Sequence, residues 1–73
     1  MASGAVDPKT GRLHLIYWDA GYIKHAYYDH VGDWTEENVE ACPIYCEPAM
    51  ALLKDGKILV TWTVDRTWHK KIL

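Results

Sequence analysis

The 73-residue chain has no phenylalanine, a single serine, two arginines and two cysteines, and most of these shortages remove a class of function. The one serine, Ser3, lies close to a terminus, which leaves no Ser/His/Asp nucleophile to build. A glycine-rich phosphate cradle is also missing. No apolar run approaches the roughly 20 residues that a membrane-crossing helix needs, so membrane insertion is not expected. Lys and Arg number 8 against 10 Asp and Glu, for a formal net charge of −2. The short basic stretch His69-Lys70-Lys71 is no footprint for nucleic acid on that acidic background. Residues 1–6 lack the basic head and apolar core of a secretory leader.

Cys42 and Cys46 stand four apart around Pro43-Ile44-Tyr45. A disulfide there closes a very short loop for little entropic gain, and with no secretory leader the sequence points to free, buried thiols. His14, His25, His30 and His69 invite a zinc site with the cysteines. The C-x3-C spacing departs from the usual C-x2-C knuckle and no H-x3-5-H pair follows, so no metal and no cofactor is expected.

What is present favours β structure. Apolar residues make up 49% of the chain, and all its aromatics are Trp (4) or Tyr (5), rings that suit half-buried sheet faces and binding surfaces. Val, Ile, Thr, Tyr and Trp gather in short runs. Ala2 to Val6 reads as a short strand of small residues before the turn Asp7-Pro8-Lys9-Thr10-Gly11. Leu13 to Trp18 and Tyr22 to Tyr28 form a hairpin across Asp19-Ala20-Gly21. Glu36 to Glu40 reads as a loop or a short outer strand, and Ala41 to Pro48 as an extended connector. Strands are then expected at Ala49–Leu53, Lys57–Thr63 and Thr67–Leu73, with Ile58, Val60 and Trp62 sharing a buried face.

The second half repeats the first. Lys9-Thr10-Gly11-Arg12-Leu13-His14-Leu15-Ile16-Tyr17 stands 45 residues before Lys54-Asp55-Gly56-Lys57-Ile58-Leu59-Val60-Thr61-Trp62. A period of about 45 residues carrying four short antiparallel strands is the arithmetic of a β-propeller blade. The pattern resembles the blades of sialidase-like propellers with bacterial neuraminidase repeats. Tyr27-Tyr28-Asp29-His30-Val31-Gly32-Asp33-Trp34 is similar to their Asp-box, Ser-x-Asp-x-Gly-x-Thr-Trp. Asp29 and Trp34 match; Tyr27 replaces the Ser and Gly32 falls one place late. The resemblance implies an all-β chain of propeller-like blades, with residues 1–40 as the first blade, 41–48 as connector and 49–73 as an incomplete second blade. It also implies a ring completed by oligomerisation, since lectins of similar plan build six-bladed rings from two-blade subunits. The expected partner is therefore the chain itself, with a trimer as the favoured assembly.

The chemistry that such a chain can offer is limited. Sialidase catalysis needs a Tyr nucleophile with its acid and three arginines around a carboxylate, whereas only Arg12 and Arg66 are present. The acidic stretch Asp29, Asp33, Glu36, Glu37 reads as a solvated loop rather than a calcium site. Glycan binding without catalysis asks for less. Trp18 and Tyr22 flank the first hairpin turn and Arg66 and Trp68 the second, so these four are the expected ligand-binding residues, in a shallow site between blades. The competing reading packs Trp18 and Trp68 between neighbouring blades. Two further readings stand beside carbohydrate recognition: a structural component of a larger assembly, for example of a phage, and a fragment of a sialidase-like glycoside hydrolase.

Overall fold

The computed structural model describes residues 2–73, which form seven β-strands and, among the described residues, no helix. The strands are β1 (Ala2–Val6), β2 (Leu13–Asp19), β3 (Tyr22–Tyr28), β4 (Thr35–Ala41), β5 (Ala49–Leu52), β6 (Ile58–Val64) and β7 (Thr67–Ile72). They make two antiparallel sheets with strand orders β1-β2-β3-β4 and β5-β6-β7. The all-β expectation holds. No barrel or propeller ring closes within the described residues, because the two sheets remain separate layers joined by the connector.

Both tight hairpins turn on two residues, where the sequence reading had three. Asp19 pairs with Tyr22 and Val64 with Thr67, which leaves Ala20-Gly21 and Asp65-Arg66 to make the turns. All four have positive φ, from 49° to 86°, the backbone of a type I′ turn. That turn matches the right-handed twist of the flanking strands well enough to hold Ala20, Asp65 and Arg66 in a region that side chains ordinarily avoid. Thr35–Ala41 is a full outer strand rather than a loop. Its backbone pairs along β3, and of its seven side chains only Val39 is buried, so the pairing places it despite three glutamates.

Pairing in the two hairpins follows one register. Leu13↔Tyr28, Ile16↔His25 and Trp18↔Ile23 in β2–β3 stand 45 positions before Ile58↔Leu73, Thr61↔Lys70 and Thr63↔Trp68 in β6–β7, the first of the latter pairs through backbone bonds of 3.2 and 2.8 Å. Gly11 and Gly56, also 45 apart, both take positive φ just ahead of the second strand of their sheet.

The core lies between the layers. Since directly opposed residues share a face, His14, Ile16, Trp18, Ile23 and His25 all point toward the second sheet. Ile58, Val60 and Trp62 of β6 point back at them, with Met50 and Leu52 of β5 alongside. Ile16, Ile23 and Val60 are fully buried, and Trp62 is 5% exposed, as the strand pattern requires. Val39, Cys42 and Cys46 complete the cluster. The sheets approach each other most closely at β1 and β5, and the connector fills the space between their other strands. Free thiols were expected, but Cys42 and Cys46 are paired as a disulfide with their Cα atoms 6.6 Å apart. Cys42 N–H donates to the Gly21 carbonyl at 2.8 Å, one step beyond the Tyr22–Ala41 pair of the β3–β4 ladder, and the chain then bends at Pro43-Ile44 between the two cysteines.

Each sheet also has an outer face that, among the described residues, no strand of the other sheet covers. On the first sheet it carries Val6, Leu13, Leu15, Tyr17, Tyr22 and Tyr28. On the second it carries Ala49, Ala51, Leu59, Thr61, Trp68 and Ile72.

Candidate functional site

The two hairpin turns lie at the same end of the molecule, next to residues 40–44 of β4 and the connector. That much places the four expected binding residues in one region, but their side chains diverge. Trp18 faces the core side of its sheet, packs against the buried cluster and donates from Nε1 to the Cys42 carbonyl at 2.9 Å. Tyr45 meets it edge-on at 5.3 Å between centroids. Trp18 therefore anchors the connector and is partly buried against the core. Tyr22 pairs with Asp19 on the opposite, outer face and is 42% exposed. Arg66 sits inside the second turn, exposed to solvent. Trp68 is 73% exposed on the outer face of the second sheet. Within one chain, Tyr22 and Trp68 lie on the two opposite outer surfaces.

A cleft of about 440 Å³ opens at this same end, between the connector and the β6–β7 hairpin. Glu40, Ile44, Trp62, His69 and Lys70 help to line it. The His69 ring stacks on Trp62 at 5.8 Å with the planes 13° apart, so an otherwise buried tryptophan meets solvent through an imidazole. Among its lining residues Glu40 is the one carboxylate, whereas glycoside hydrolysis needs two catalytic groups across the bond. Sequence reasoning missed this cleft because the connector, whose residues 42–44 form one wall, carries no periodic signature.

At the other end of the first sheet lies a buried polar chain. His14 and His25, 5% and 4% exposed, are joined Nδ1 to Nε2 at 2.9 Å, and His25 Nδ1 meets Glu37 Oε1 at 2.8 Å. A carboxylate only accepts, so His25 donates from Nδ1 to Glu37 and takes a hydrogen bond from His14 Nδ1–H on its other nitrogen. Desolvation, reinforced by the charge of His25, holds the His14 imidazole below its ordinary 6.5. The arrangement resembles the orienting half of a catalytic relay, yet neither imidazole hydrogen-bonds to a serine or cysteine among the described residues. It binds β2, β3 and β4 together across the sheet.

The acidic stretch after β3 is not simply solvated. Asp29 is held by both Nε and Nη2 of Arg12, whose guanidinium also lies 4.7 Å above the Tyr27 ring. Glu36 meets Lys24 at 3.4 Å and Glu37 belongs to the histidine chain. Trp34 stacks on Tyr28 at 5.5 Å, which closes the loop between β3 and β4. With Arg12 committed to Asp29, Arg66 alone is left free among the described residues, short of the three arginines that grip a substrate carboxylate in sialidases. No group of three or more His, Cys, Asp or Glu among the described residues could hold a metal ion. Comparison with family models, with curated proteins and with solved structures finds no match to the chain.

Proposed function

We propose that the chain is a non-catalytic recognition module: its two sheets act as consecutive blades of a β-propeller-like ring that several copies complete, and its ligand is a carbohydrate. The observation that carries this reading is the common 45-residue register of the two hairpins. Two sheets with the same pairing, stacked face to face and closest at their first strands, are what this reading expects of neighbouring blades. The position of Asp29 to Trp34 between the third and fourth strands of a sheet also fits the Asp-box resemblance.

Surface area supports an assembled state. A compact monomer of 8.4 kDa exposes about 4,600 Å². The chain exposes 5020 Å², more than that average. Carbohydrate is favoured as the ligand by Tyr22, Trp34 and Trp68, exposed rings able to lie against the C–H face of a sugar. Catalysis is disfavoured by the single carboxylate of the cleft and by the engagement of Arg12 with Asp29. A glycan array tests the ligand class: retention on a defined subset of glycans is the expected result, and uniform absence of binding contradicts it.

A further inference from the structure

We infer that the outer face of the first sheet is the docking surface for the outer face of the second sheet of another copy, a head-to-tail contact with Trp68 of one copy seated on Tyr17 of the next. The inference rests on the oligomeric reading above and specifies which surfaces meet. Its template is the packing inside the chain. There Ile58, Val60 and Trp62 of the second sheet bury themselves on the face of the first sheet that carries Ile16 and Ile23. Positions 45 earlier than those three are Leu13, Leu15 and Tyr17, which line the uncovered face of the first sheet. Positions 45 later than Ile16 and Ile23 are Thr61 and Trp68, which line the uncovered face of the second. Each molecule thus carries both halves of an interface that it already forms once internally. Trp68 takes the place of Ile23, and Tyr17 the place of Trp62.

The first strands obey the same rule. Ser3 and Ala5 turn small side chains toward β5, where the sheets come closest. Ala49 and Ala51 hold the matching places in the second sheet, opposite Thr61 and Leu59, and they are exposed with nothing upon them. Charge is complementary as well. The outer face of the first sheet carries Asp19 and Glu36 around Lys24, and that of the second carries Lys70. Because the two surfaces differ, the contact is heterologous: it propagates in one direction and ends only when a ring closes. The same contact carries Trp68 of one copy to the Tyr22 end of the next, so the expected binding residues that one chain holds apart approach each other at the junction.

Complementary variants test this. Val6→Glu with Tyr22→Glu charges the first face, and Trp68→Glu with Ile72→Glu charges the second; all four residues are more than 40% exposed. Light scattering should find each double variant monomeric and their equimolar mixture a 1:1 dimer, at twice the 8.4 kDa of one chain and no larger. Self-association of either variant alone, or a mixture that stays monomeric while the unsubstituted chain is oligomeric, overturns the head-to-tail contact and leaves the oligomeric reading standing. An unsubstituted chain that is itself monomeric overturns both. Should a double variant lose cooperative unfolding, Tyr22→Glu and Trp68→Glu singly repeat the test with the same expected outcomes.

Discussion

Trp62 is the largest side chain of the buried cluster, and one face of its ring is covered by the stacked His69. Trp62→Ala is expected to destabilise the fold by about 3–5 kcal/mol, most of what a domain this small has. A denaturant midpoint equal to that of the parent chain would contradict the placement. His14 sets a pH dependence. Its folded pKa lies below 6.5, so the unfolded chain takes up the proton first as pH falls. Stability present above pH 6.5 is therefore lost as pH falls from there through the lower folded value. His14→Gln keeps a hydrogen bond for His25 Nε2 and should flatten stability in that window. It should leave the loss at more acid pH, where Glu36 is protonated; the Tyr17 hydroxyl holds that carboxyl below its ordinary 4.5. Thermal unfolding of both chains between pH 7 and pH 4 checks the sign.

At the scale of elements, the turns hold removable strain. Arg66 sits at φ 65°, where a side chain costs about 1–2 kcal/mol, while glycine's extra chain entropy costs about 0.5–1. Arg66→Gly is therefore expected to raise the melting temperature, and a fall would show that the arginine makes a contact worth more than its strain. Six of the seven strands were legible because their alternation is strong: Leu13-x-Leu15-x-Tyr17 and Ile58-x-Val60-x-Trp62 state both a strand and its faces. The seventh, β4, was ambiguous because its side chains are mostly solvated, and only the backbone of β3 makes it a strand. The disulfide and the 440 Å³ cleft were illegible for a related reason. Both depend on the connector bending at Pro43-Ile44 beyond the end of β4 and packing into the core, which no local pattern encodes. The turns that carry the four expected binding residues lie at one end, but two-residue turns and strand alternation send Trp18 and Tyr22 to opposite faces.

For the whole molecule, the account depends on two apolar surfaces that have no partner within the chain. Among the described residues the buried core comes down to a few side chains such as Ile16, Ile23, Val60 and Trp62, a small core for a domain without further cover. Assembly through the outer sheet faces supplies that cover. The most direct test is the mass in solution, by light scattering behind a sizing column followed by native mass spectrometry. A single closed species of roughly three copies is the predicted result. A cooperatively unfolding monomer of 8.4 kDa at every concentration would contradict it.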